Sequence, residues 1–216
     1  YQTRADLREL FELEIAEELD LAPRYNVAPS QFVPVVRSAG TSRTMTEMRW
    51  GFESHWSDGS GPKPINARGE TVARSPSFRE SFATRRCLVP LSGYYEWQAV
   101  GSKKQPYFFR PPVACAFAGI WDHSGVDGAA TFAIVTTLAV PSLTPFHERM
   151  PVLLGRDQFA SWLDPRAHKQ ELLGWIEPFE WNLETWPVST AVNSPRSQGE
   201  KLLDRVEPLR VPPTLF

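Results

Sequence analysis

The chain has 216 residues, 42% of them hydrophobic and 22% charged, with a net charge of −2. At that length about 70% of the unfolded surface can be buried, so no disulfide or metal is needed to staple the fold. Eight Trp, 13 Phe and 20 Pro argue against both a helical bundle and a disordered chain. No apolar run approaches the roughly 18 residues of a membrane helix, and the polar opening Tyr-Gln-Thr-Arg-Ala-Asp does not read as a signal peptide. Cys87 and Cys115 lie in apolar segments and form no close-spaced pair, which points to a reduced, cytosolic protein.

Thr3 and Asp6 form a capping-box pattern, and Leu7, Leu10, Phe11, Ile15 and Leu19 follow at helical spacing. The pattern predicts an amphipathic helix over 4–20 with a wet acidic face, ended by Pro23. Residues 1–20 carry a net −5, whereas residues 62–86 carry a net +4. Such a local field is compatible with a phosphate ligand, although charge runs alone are mostly solvated surface. Segments of strand character then succeed one another at Phe32–Arg37, Thr44–Phe52, Cys87–Leu91, Tyr94–Gln98, Pro106–Arg110, Cys115–Trp121 and Thr131–Thr137. Gly, Pro and Ser clusters separate them, the punctuation of an antiparallel sheet. Residues 53–65 read as a long exposed loop, a type that is usually functional or disordered. Short helices are expected at Ser77–Thr84, Asp157–Leu163 and Lys169–Ile176. With no repeat and no linker, one α+β domain over 1–216 is expected, and a monomer, since no apolar helix face is left over.

Three places depart from core or turn patterning. Asn66-Ala67-Arg68-Gly69-Glu70 joins an amide, a guanidinium and a carboxylate just after the loop. An Arg fork suits phosphate oxygens, but polar clusters after loops also serve as caps and turns. Glu96 stands among Tyr94, Tyr95 and Trp97. Buried there, its pKa would rise and make it a proton donor near neutrality; on the wet face of an edge strand it would do nothing, and alternation allows both. His147 lies in the rigid stretch Pro145-Phe146-His147-Glu148-Arg149-Met150-Pro151, where an acid, a base or mere surface decoration is possible chemistry. His55, His123 and His168 have no metal-ligand spacing with each other or with the cysteines, so no metal site is expected. Glycine-rich phosphate loops, nucleophile elbows and dinucleotide fingerprints are absent.

The ordered series Arg24-Tyr25-Asn26-Val27-Ala28-Pro29, Trp50-Gly51-Phe52, Asn66-Ala67-Arg68-Gly69-Glu70-Thr71, Gly93-Tyr94-Tyr95-Glu96-Trp97, Lys104-Gln105-Pro106-Tyr107 and His147-Glu148-Arg149-Met150-Pro151 resembles the SOS-response-associated peptidase (SRAP) family. Trp186-Pro187-Val188-Ser189 with Val192-Asn193 extends the likeness over nearly the whole chain. The resemblance implies a strongly twisted, largely antiparallel, barrel-like β core flanked by short helices. It also implies a protein of the DNA-damage response that binds single-stranded DNA at abasic sites without a cofactor. In the family an N-terminal cysteine, freed by removal of the initiator Met, closes on the sugar aldehyde as a thiazolidine. That cysteine belongs to a Met-Cys-Gly-Arg start, and Tyr1 matches the position just after it.

Carried over by position, Asn66, Glu96 and His147 are the expected catalytic residues: Asn66 positions the amine or the opened sugar, Glu96 shuttles protons and His147 donates one. Arg68 and Arg149 are expected to hold flanking phosphates, and Trp56 or Trp50 to stack against the strand. Asn26, Pro29 and Arg74 complete the expected DNA-binding set, with Arg74 near the family's phosphate-binding basic position. Two other readings are a non-covalent single-stranded DNA-binding module and a peptidase acting in trans.

Overall fold

A computed structural model describes residues 3–13 and 19–210. Eleven strands lie among them: β1 (Phe32–Ala39), β2 (Ser42–Trp50), β3 (Asn66–Arg68), β4 (Arg86–Leu91), β5 (Tyr94–Val100), β6 (Lys103–Arg110), β7 (Cys115–His123), β8 (Ala130–Leu138), β9 (Arg149–Pro151), β10 (Leu153–Gly155) and β11 (Glu184–Pro187). Five helices accompany them: α1 (Arg4–Phe11), α2 (Gly69–Val72), α3 (Arg79–Thr84), α4 (Phe159–Leu163) and α5 (Lys169–Gly174).

The main sheet closes on itself. Antiparallel pairing joins β2 to β1, β1 to β4, β4 to β7 and β7 to β8, and a short parallel pairing of β8 with β2 completes the ring. β10 extends β7, while β3 and β9 both add to β8. Closure removes the exposed edges of the five ring strands where they pair. A second sheet, β11–β6–β5, stands beside it. The α+β class and barrel-like core expected from the sequence are what is found.

Local chemistry accounts for the connections. Ala39 pairs with Ser42 and Val100 with Lys103, so two-residue turns join β1 to β2 and β5 to β6. Each turn begins with a glycine at positive φ, Gly40 at 69° and Gly101 at 61°, a geometry glycine adopts without strain. Pro34 sits within β1 without breaking the sheet, because β4 pairs with β1 only at Val36 and Arg37 and Pro34 needs no N–H on that side.

The strands are apolar on both faces. Val36, Leu88, Ala116, Ala118, Ile120, Ala133 and Val135 pack under Leu7, Leu10 and Phe11 of α1 and Phe159, Trp162 and Leu163 of α4. Val35, Met48, Cys87, Val89, Phe117, Phe132 and Ile134 form a second cluster on the alternate residues. Arg86 ties the helices to β4 by donating to the carbonyls of Phe82, Ala83, Trp162 and Asp164. Burial lowers its guanidinium pKa to about 10. Among the described residues no helix is long and apolar enough to cross a membrane.

Several expectations need correction. The first helix spans Arg4–Phe11 rather than 4–20: Thr3 and Asp6 cap it as expected, but Glu12 turns left-handed at φ 52° and donates to the Arg8 carbonyl. The rest of that expectation partly falls on 14–18, outside the described residues. β3, β9, β10 and β11 were not foreseen, since three or four residues carry too little alternation to register. The 53–65 segment is exposed only beyond its base. Glu53 and Ser54 are buried, with Glu53 accepting ion pairs from Arg49 at 3.3 Å and Lys63 at 3.0 Å. Helices expected at Ser77–Thr84 and Lys169–Ile176 are shorter, Arg79–Thr84 and Lys169–Gly174, and that at Asp157–Leu163 is a 3₁₀ turn over Arg156–Gln158 leading into α4.

Candidate active site

β3 lies parallel to β8, with Asn66 opposite Ile134 and Arg68 opposite Thr136. Alternation buries Ala67 in the helix-covered core and leaves Asn66 and Arg68 exposed on the other face. The chain then turns into α2 at Gly69, where a Cβ would come within 2.0 Å of Ile176 Cγ2 and 3.2 Å of the Thr136 carbonyl oxygen. Only glycine permits that approach, and it delivers Glu70 to Arg149. Arg149 Nη1 and Nη2 donate to Glu70 Oε1 at 3.0 Å and Oε2 at 2.8 Å. Its Nε donates to Thr136 Oγ1 at 3.2 Å, and Nη2 also reaches the Thr136 carbonyl at 2.8 Å. Hydrogen bonding from Arg149 outweighs partial burial and, helped by the charges of Arg149 and Arg68, keeps the Glu70 pKa below the ordinary carboxylate range.

Glu96 lies on β5 opposite Tyr107 of β6. It shares its face with Tyr94, whose ring packs on Phe109 at 5.2 Å and edge-on to Phe117 at 5.7 Å. Burial raises the Glu96 pKa above the usual glutamate range, and the charge of His147 acts against that rise. Tyr94 is pushed up as well, by burial and then by the Glu96 charge. Glu96 is half-buried, between the two readings left open for it.

Aromatic packing brings His147 to Glu96. Phe146 meets the rings of Tyr107 and Phe109 edge-on at 4.9 Å each. The backbone N–H and carbonyl of Arg149 both lie at hydrogen-bond distance from His147 Nδ1, at 2.9 and 3.0 Å, and hold that edge of the ring. The result is a carboxyl biased toward its protonated form near an imidazole: a pair able to give and take protons. From His147 the contacts run to Arg149 and on to Glu70, and Asn66 shares the exposed face of β3 with Arg68.

The expected DNA contacts divide. Trp56 is 62% exposed, and Arg74 and Pro29 are also exposed. Trp50 is pinned instead: its indole N–H donates to the Ile65 carbonyl at 2.8 Å and its ring stacks on Phe132 at 6.3 Å. Asn26 is buried, its amide donating to the carbonyls of Val192 at 3.0 Å and Ser194 at 2.9 Å, so its side chain clamps the C-terminal segment and has no donor left for DNA. Arg149 is engaged by Glu70 and Thr136, whereas Arg68 presents its charge beside Glu70.

Sequence reasoning noted Glu70 only as the carboxylate of the 66–70 cluster, with no partner, and missed Thr136. Glu70 reads as an ordinary acid in a first helical turn, and Thr136 as one more strand threonine. Both cysteines, Cys87 and Cys115, are buried, and burial raises the pKa of the Cys87 thiol and pushes that of Cys115 up to about 12, which disfavours the nucleophilic thiolate. Among the described residues no group of three or more His, Cys, Asp or Glu side chains is placed to hold a metal ion.

A profile of the family described as SOS response associated peptidase (SRAP) matches residues 1–195. The chain is 34% identical over 193 residues to the abasic site processing protein YoaM of Bacillus subtilis (strain 168), covering 84% of this chain and 85% of that protein. It is 30% identical over 220 residues to the abasic site processing protein YedK of Escherichia coli (strain K12), covering 95% of this chain and 96% of that one. A crystal structure of a Bacteroides thetaiotaomicron protein superposes with a TM-score of 0.73 at 26% identity, covering 82% of each chain.

Proposed function

This chain belongs to the SRAP family, and from that premise we propose that it captures abasic sites in single-stranded DNA and becomes covalently joined to them. The observation that carries this reading is the placement of half-buried Glu96 opposite Tyr107, the ring against which Phe146 sets the adjacent His147. An abasic deoxyribose is mostly a closed hemiacetal. Opening it needs a proton delivered to the ring oxygen as the C1′–O4′ bond breaks and another withdrawn from the C1′ hydroxyl. Glu96 suits that exchange, its carboxyl giving the proton to O4′ and its carboxylate then taking the one from the C1′ hydroxyl, while the His147 imidazole stabilises the opening sugar by a hydrogen bond.

The aldehyde so formed is attacked by a primary amine. The carbinolamine loses water to give the imine, and a neighbouring thiolate then adds to the imine carbon while the nitrogen takes up a proton, closing a thiazolidine. In the family both groups come from an N-terminal cysteine, which would lie ahead of Tyr1. Asn66, exposed on the face it shares with Arg68, orients the amine or the opened sugar through its amide. Glu96 would equally serve hydrolytic removal of an initiator Met.

Arg68, Arg74 and the remaining N–H of Arg149 hold phosphates, and Trp56 offers an open ring to an unstacked base. The names of relatives such as YoaM and YedK support abasic DNA as the substrate. The test incubates protein bearing a cysteine-led N-terminus with single-stranded DNA carrying one abasic site, and with the same strand intact. A heat-stable adduct on the abasic strand alone is expected. No adduct with the cysteine verified by intact mass would overturn the proposal, and binding without an adduct would favour a non-covalent module.

A further inference from the structure

Two non-glycine residues among those described take a positive φ, Glu12 at 52° and Ser30 at 73°. Glu12 ends α1, which accounts for it. Ser30 is the third residue of a turn closed by the Gln31 N–H on the Ala28 carbonyl at 3.4 Å, with Pro29 before it. Proline followed by a positive φ marks a type II turn, whose third position suits glycine or asparagine. Serine strains that position, and the surrounding bonds hold the strain in place. The Ser30 N–H donates to the Trp50 carbonyl at 2.7 Å, the Trp50 N–H to the Gln31 carbonyl at 2.9 Å, and the Ala28 N–H to Gln31 Oε1 at 3.3 Å. Ser30 is exposed, and among the described residues its hydroxyl has no hydrogen-bond partner. The fold thus bears a strained turn whose side chain does nothing for the fold. The turn also stands at the rim of the site: Trp50, which it grips, donates from its indole to the carbonyl of Ile65, the residue before Asn66. A cation accompanies it. Arg24 donates to the Phe32 carbonyl and to Gln31 Oε1, and among the described residues no acidic side chain pairs with it.

We propose that Ser30 is a further DNA-contact residue: its hydroxyl, presented by the left-handed turn, donates to a backbone phosphate of the single strand, with the charge of Arg24 beside it. Hydroxyl donors to phosphate fix a strand's position without reading its sequence. The inference rests on the single-stranded DNA reading above and adds to it a contact that carries no charge. That neutrality gives it a signature of its own. Losing an arginine contact lowers both affinity and salt slope, whereas losing a hydroxyl lowers affinity and leaves the slope as it was. The competing explanation is that Ser30 is merely tolerated in the turn, in which case relieving the strain would stabilise the fold and change nothing else.

The deciding experiment compares wild type, Ser30→Gly and Ser30→Ala. Glycine removes both the hydroxyl and the strain, and alanine removes the hydroxyl alone. Each is titrated, over a range of salt, with a fluorescently labelled single strand carrying one tetrahydrofuran residue. That abasic analogue has no aldehyde, so binding is read without adduct formation. Thermal melts are recorded beside the titrations. Ser30→Gly is expected to melt about 2 °C above wild type and Ser30→Ala close to it. Both are expected to lose about three- to tenfold in affinity, alike for strands of different sequence and at the wild-type salt slope. Wild-type affinity in Ser30→Ala would overturn the proposal, and so would a loss confined to Ser30→Gly, which would trace to a loosened turn rather than to the hydroxyl. A Ser30→Gly melting point no higher than wild type would remove the strain on which the inference stands. Should wild type itself not bind the strand, the single-stranded DNA reading falls and this contact with it; binding by wild type with both variants unaffected overturns the contact alone.

Discussion

Glu96 of β5 and His147 of the segment before β9 act on each other: burial raises the glutamate's pKa and the histidine's charge pulls it down. A carboxyl whose protonated form is favoured by burial, beside an imidazole, is suited to giving and taking protons. Glu96→Gln is therefore expected to slow adduct formation by on the order of 10²- to 10⁴-fold while leaving DNA binding intact, as measured by quenched time courses beside equilibrium binding.

The same residue makes a stability prediction. Because the Glu96 pKa is higher folded than unfolded, its contribution is fully present below the ordinary glutamate value and is lost as pH rises through the folded value. Glu96→Gln should thus gain thermal stability relative to wild type at neutral pH, and that gain should vanish at acid pH. Tm measured across pH checks it; a gain that grew toward acid pH would contradict the burial.

Arg68 and Arg74 are exposed on a basic segment. Arg68→Ala and Arg74→Ala should each weaken binding to every single-stranded sequence alike and reduce the salt slope of log K by about 0.7 per lost phosphate contact. Binding isotherms over a range of salt test this, and a loss confined to one sequence would argue against phosphate contact.

The two tryptophans should separate cleanly. Trp56→Ala, at an exposed ring, is expected to cost about 1–3 kcal/mol of DNA binding and little stability. Trp50→Ala, which removes the bond to Ile65 and the stack on Phe132, should cost on the order of 3 kcal/mol of folding free energy. Parallel denaturation and binding measurements read both.

Asn26→Ala leaves the carbonyls of Val192 and Ser194 without their donor. A destabilisation of about 1–3 kcal/mol is expected by urea denaturation, with no change in the salt slope of DNA binding.

Much of the fold was legible because β1, β4, β7 and β8 carry apolar residues at every or every second position, and turn chemistry marks their ends. What escaped was set by partners remote in sequence. Asn26 looked like a free polar residue because Val192, Ser194 and Gln198, which enclose it, lie at the other end of the chain. The base of the 53–65 loop looked wet because Glu53 shows its burial only beside Arg49, Lys63 and Thr131. At the site, aromatic neighbours hinted at the partial burial of Glu96, but nothing local to Glu70 revealed its hold on Arg149. The first helix was overextended because apolar spacing continued past Glu12, whose backbone had already turned left-handed.

The sharpest discriminator is a rate comparison on cysteine-led protein with abasic single-stranded DNA, scored by intact mass for wild type and for Asn66→Ala, Glu96→Gln and His147→Ala. Each variant should bind the strand with near-normal affinity yet form the adduct far more slowly. Adducts appearing at the wild-type rate in all three would mean that these side chains do not carry the chemistry.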